Sequence, residues 1–217
     1  MNMKYLPIDS KLFTKNRAKF VAQMIPNSIA VFNSNDIFST GADSTLPFHQ
    51  HPNIFYLSGV DQEESILVLF PDAKNQKHKE ILFLKETNDH IAIWEGAKLN
   101  KLQATETSGV QTVYWLDEFE SVFEQLMSEA KTVYFNNNNH YRQAVEMETR
   151  EDRFIKTVKQ KFPNHKIEHN FPIMEVLRGV KEQEEIALIQ NACDITEKGF
   201  KRVLGFVKPG VMEYEIE

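Results

Sequence analysis

Short apolar runs alternating with helix-spaced segments most narrow what this chain can fold into. Residues 28–32 (SIAVF), 65–70 (SILVLF), 81–84 (ILFL), 113–115 (VYW) and 132–135 (TVYF) are rich in β-branched and aromatic residues and too short for buried helices. Their near-continuous apolarity suits strands covered on both faces. Before them, Phe13, Phe20, Val21 and Met24 share one face of a helix opened by Asp9 and Ser10, with Arg17 at the edge of that face and Pro26-Asn27 ending it. Asp117 opens a helix carrying Phe119, Val122, Phe123 and Leu126. The polar run 136–139 leads to another helix over about 141–161, and Ile167 marks a last short strand. Residues 54–57 (IFYL) read as a further strand, joined through Ser58-Gly59-Val60-Asp61 to 65–70 as an antiparallel hairpin. The pattern predicts an α/β fold: a mixed, twisted β-sheet flanked by helices.

From Lys181 the pattern changes. Ile186, Ile189, Cys193, Thr196, Phe200, Val203, Leu204 and Val207 form one stripe on a helix of about six turns, which Lys208-Pro209-Gly210 ends. Residues 211–217 read as the opening of another helix, so the chain reads as cut inside a second domain. The expected division is 1–175 and 176–217, with the stripe of the long helix exposed or covered by a dimer contact.

Several function classes are excluded early. Acids outnumber bases 31 to 25 in the 217 residues, for a net charge of −6, without the basic excess of a nucleic-acid binder. No apolar stretch approaches the roughly 18 residues of a membrane-spanning helix. The lone Cys193 cannot form an internal disulfide, and residues 1–10 lack the basic head and apolar run of a signal peptide. A cytoplasmic protein that contacts neither membrane nor nucleic acid is expected.

Read from spacing, the chain holds no complete active site. His49 and His51 could share a face of an extended segment, but Pro47 and Pro52 flank them and no third ligand stands nearby, so both read as loop histidines. His78, His90, His140, His165 and His169 lie among charged residues and read as solvated. Glu182, Glu184 and Glu185 suit the positive end of a helix dipole. Cys193, on an apolar stripe with no cation to lower its pKa, reads as a buried structural thiol. The glycines are isolated, and neither a nucleophile elbow nor a zinc-binding His-Glu-x-x-His helix is present. Two irregular segments remain, 40–50 and 91–96. In the second, which reads as a loop or strand end, the large Trp94 beside Gly96 reads as a packing residue.

Taken in order, these segments resemble the N-terminal domain of the aminopeptidase P family, the Xaa-Pro aminopeptidases. The matching residues are Ala42-Asp43-Ser44, Pro47-Phe48-His49-Gln50 and Asn53-Ile54-Phe55-Tyr56-Leu57-Ser58-Gly59, continuing through Glu63 or Glu64 into Ile66-Leu67-Val68-Leu69. Ile93-Trp94-Glu95-Gly96 resembles the family's aromatic loop. Leu177-Arg178-Gly179-Val180-Lys181, with Glu184-Glu185-Ile186, Pro209-Gly210 and Glu213, resembles the entry to its C-terminal pita-bread domain.

The resemblance implies a creatinase/aminopeptidase P N-terminal domain-like fold and a parent metallopeptidase that releases the first residue from peptides with proline second. It implies two manganese ions held by two Asp, one His and two Glu, all beyond Glu217, so no residue of this chain is expected to be catalytic or to bind metal. The domain would serve oligomerisation, as a dimer or tetramer, and access of proline-containing peptides. Trp94 would line a substrate pocket, in a neighbouring subunit's site, and Asp43 would pair with a basic residue at the domain junction. Ahead of Pro172, where the family would place Arg, this sequence has His169-Asn170-Phe171, and Asp43 as a plain loop cap stands beside that role. Related alternatives are a prolidase, a creatine hydrolase-like enzyme, or a non-catalytic protein-binding module of the same architecture.

Overall fold

Asp9 accepts a hydrogen bond from the Lys11 N–H and starts α1 (Ser10–Val21), whose apolar face turns onto a sheet begun by β1 (Ser28–Asn33). A computed structural model describes residues 7–137 and 147–216. The sheet continues with β2 (Ile66–Leu69), β3 (Glu80–Leu84), β4 (Thr112–Trp115), β5 (Thr132–Phe135) and β6 (Lys166–His169). Its order is β4-β3-β2-β1-β5-β6, with β2 antiparallel to both neighbours and the other pairs parallel. The expected mixed sheet flanked by helices is present.

Alternate residues of the strands feed two cores. Ile29, Val31, Val68, Phe83, Val133 and Phe135 face α5 (Phe119–Glu129) and α6 (Arg150–Lys161), meeting Phe119, Phe123, Leu126 and Val158. Ala30, Phe32, Leu67, Leu69, Leu82 and Tyr134 face the other way, towards Phe20 of α1, Ile54 and Leu57 of α2 (Pro52–Ser58), Ala104 of α4 (Lys101–Ser108) and Met174 of α7 (Phe171–Gly179). Period-two side chains thus fill both layers, as a strand buried on both faces requires.

Several elements differ from the sequence reading. Residues 54–57 are helical: α2 has Pro52 at its first turn, the His51 ring accepting from the Asn53 N–H, and Gly59 in the left-handed conformation at its end. The hairpin therefore does not form, and β2 pairs with β1 and β3 instead. Residues 91–95 belong to a short helix, α3 (Asp89–Glu95), capped by Asn88, rather than to a loop or strand end. The helix α4, opened by an Asn100–Gln103 capping box, has too weak an apolar stripe to show in the sequence. Asp117 lies in a 3₁₀ turn and does not cap α5. The helix expected over 141–161 begins at Arg150, after the Thr149 cap; 138–146, including His140, lies outside the described residues.

Arg17 is not at an edge but wholly buried. Its Nη1 donates to the Leu57 and Ser108 carbonyls, both at 2.8 Å, and its Nε to Glu80 Oε2 at 2.9 Å. His78 is likewise buried, edge-on to Tyr114, and His165 is half-buried, its Nε2 2.8 Å from the Met127 carbonyl. Both rings lie under aromatic or helical cover that the flanking charges do not reveal.

The chain divides into two units between Leu177 and Arg178. The second consists chiefly of α8 (Gln183–Phe206), with a Glu182–Glu185 capping box and a 3₁₀ turn at Glu213–Glu215 where another helix was expected. Phe200 is 66% and Leu204 77% exposed, so the stripe is open. Cys193, on that stripe, is exposed rather than buried.

Candidate functional site

Beyond the end of β3, Lys85 reaches two carboxylates, Glu95 Oε2 at 2.9 Å and Glu64 Oε2 at 3.2 Å. The hydrogen bond from Lys85 holds the Glu95 carboxyl below its usual range. A second strut joins Lys98 to Glu63. These pairs anchor α3 at its C-terminal end, while Asn88 Oδ1 accepts from the Ile91 N–H at its start. Gly96, at φ +78°, turns the chain away from the helix. So anchored, α3 presents Ile93 and Trp94 to solvent, 74% and 82% exposed. Trp94 is therefore not the packing residue that spacing suggests. A rigid indole offered at this exposure suits binding of apolar or ring-bearing groups.

Asp43 lies in the segment between β1 and α2. A single bridge between Ser39 and Thr45 closes a small loop with Asp43 exposed near its tip. The base of the segment is fixed by polar contacts. Asn35 Nδ2 donates to the His49 carbonyl at 2.9 Å, and Gln50 Nε2 donates to the Val60 and Gln62 carbonyls. Among the described residues no basic side chain pairs with Asp43, and no hydrogen bond, ion pair or ring contact joins it to Trp94.

Sequence reasoning missed a polar cluster at the carboxyl ends of β1 and β5. Glu151, in the first turn of α6, accepts from Asn33 Nδ2 at 2.7 Å and from the Asn136 N–H at 2.8 Å. Asn136 Oδ1 accepts from Asn53 Nδ2 at 2.7 Å, and Asn136 Nδ2 lies 3.2 Å from His51 Nδ1. Burial pushes the Glu151 carboxyl up to about 7, against the two hydrogen bonds that favour its charged form. The signal that could have found it is Thr149 followed three residues later by Asp152, a capping box that places Glu151 on the first helical turn.

Chemically, the two places differ. Both Glu151 oxygens accept hydrogen bonds inside the protein, from Asn33 and from the Asn136 N–H, which suits a structural and pH-sensitive role. Among the described residues no group of three or more His, Cys, Asp or Glu side chains is placed to hold a metal ion. Nor is any described helix long and apolar enough to cross a membrane. The α3 surface is the candidate binding element.

Residues 13–134 match the family model of the aminopeptidase P, N-terminal domain. Over 212 residues the chain is 27% identical to the Xaa-Pro aminopeptidase of Escherichia coli K12, covering 97% of this chain and 48% of that protein. Over 218 residues it is 27% identical to the Xaa-Pro aminopeptidase of Haemophilus influenzae, covering 100% of this chain and 48% of that protein. A solved structure from Bacillus anthracis, described as an aminopeptidase P, superposes with a TM-score of 0.86 at 26% identity, covering 96% of this chain and 49% of that one. The chain spans about half the length of the relatives it matches.

Proposed function

The chain belongs to the family of aminopeptidase P N-terminal domains, and we propose on that footing that it is the N-terminal portion of an Xaa-Pro aminopeptidase. The parent enzyme would release the first residue from peptides with proline in second position. The match over residues 13–134, within a chain half as long as its relatives, carries this reading. In the proposal, 1–175 form the accessory α/β domain and 176–217 open the pita-bread catalytic domain.

Two manganese ions would serve the parent enzyme, with their ligands beyond Glu217. The described residues do not fit such a site, because no three candidate ligands converge. No hydrolytic step is assigned to this chain, which by itself would be inactive.

The domain's own contribution would be substrate access and assembly into a homo-oligomer. The exposure of Trp94 supports its role as a wall for proline-containing peptides, supplied to a neighbouring subunit's site. Asp43, also exposed, would meet a basic group at the domain junction. A cytoplasmic location belongs to the same reading, supported by the single cysteine. Assaying Trp94→Ala in the full-length enzyme tests the access role. Activity on Xaa-Pro peptides should fall while bound manganese is unchanged; unaltered kcat and KM would overturn it.

A further inference from the structure

Among the described residues β6 is an edge strand, paired on one side with β5 and open on the other. All four of its residues, Lys166 to His169, are exposed. The hydrogen-bond phase shows which groups the open side presents. The Lys166 N–H donates to the Lys131 carbonyl and the Asn170 N–H to the Phe135 carbonyl, both towards the β5 side. Because a strand's backbone groups alternate in direction, the N–H and C=O of Ile167 and the N–H of His169 point outward.

Open edges invite pairing, and natural proteins commonly blunt them with charge, often a lysine. Here the charges are self-complementary. In an antiparallel register centred on Ile167, each Lys166 stands opposite a Glu168 and Ile167 stands opposite itself. The two Ile167 residues exchange both backbone hydrogen bonds. The two Lys–Glu pairs lie together on the opposite face, at the closer, non-hydrogen-bonded positions. Among the described residues, Lys166 and Glu168 have no ion-pair partner of their own that would compete with these pairs.

We propose that β6 is an interaction surface for a second copy of this chain, the two edges pairing antiparallel about Ile167 to continue the sheet from one copy into the next. This deepens the homo-oligomer reading above and rests on it, while leaving the peptidase assignment untouched. A four-residue edge gives a weak, concentration-dependent contact, as its small area requires.

Sedimentation velocity of the 217-residue chain over a concentration series tests it. The unaltered chain should self-associate. Lys166→Glu should weaken that step about tenfold, because both cross-strand pairs become repulsive. Glu168→Lys alone should do the same by the opposite sign, and provides the comparison should the first variant not fold. The double exchange Lys166→Glu with Glu168→Lys restores complementarity and should restore association. Association unchanged by both single variants, or not restored by the double exchange, overturns the edge contact while leaving assembly through other surfaces standing. A chain monomeric at every concentration overturns both the contact and self-assembly of this domain.

Discussion

Asn33 donates a 2.7 Å hydrogen bond from Nδ2 to Glu151 Oε2, tying the end of β1 to the first turn of α6 inside the protein. The acceptor is a buried, ionisable carboxyl, so the site carries a titrating group into the core.

That group gives a pH prediction. The Glu151 carboxyl ionises near 4.5 when solvated and at about 7 in the folded chain. The folded state therefore binds this proton more tightly than the unfolded state. Its contribution to stability is complete below the unfolded value and is lost as pH rises towards 7, by about 3 kcal/mol in all. Glu151→Gln removes the titration and should flatten this part of the curve. Urea denaturation of both proteins at about pH 5 and about pH 8 checks it. Equal pH dependence in the two proteins would contradict the assignment.

Arg17 joins three distant segments through Leu57, Ser108 and Glu80. Arg17→Ala leaves two buried carbonyls without donors and should destabilise the domain by about 3 kcal/mol or more. Glu80→Gln should cost less, since Glu80 is partly solvated and a neutral acceptor remains. Denaturation midpoints of the two variants check the order.

Gly59 ends α2 at φ +69°, and a Cβ there would lie 2.3 Å from the Phe13 ring. Gly59→Ala combines left-handed backbone strain with a clash into the core. A loss of about 2 kcal/mol or more is expected. Thermal unfolding measures it, and a neutral result would mean that Phe13 can retreat.

Trp94→Ala should behave in the opposite way. At 82% exposure the indole supports little of the fold, so stability should change by no more than about 0.5 kcal/mol. A large loss of stability in this chain would show Trp94 to be a packing residue and remove the basis for its proposed role with peptides.

The sheet was readable because its strands are apolar over their whole length, as in residues 28–32 and 81–84. A four-residue run such as Ile54-Phe55-Tyr56-Leu57 carries no usable period, so its flanks decide. Pro52 and Gly59 favoured a helix, but His51 is an unusual cap and concealed its start. Arg17 was misplaced for a different reason: its partners lie 40 and 91 residues away, and nothing local announces that two carbonyls will turn towards it. The Glu151 cluster is non-local in the same sense, drawing on β1, α2, the end of β5 and α6. Trp94 was conspicuous by its neighbours in sequence, whereas its exposure shows only once α3 is seen to carry it outward.

The decisive measurement is hydrolysis of an Xaa-Pro peptide, with manganese present, by the purified 217-residue chain and by the product of the reading frame extended past Glu217. The extended protein should cleave the peptide and the 217-residue chain should not. Cleavage by the chain itself would contradict the view that its catalytic core lies elsewhere; a frame that stops at Glu217 and yields no activity would contradict the peptidase assignment.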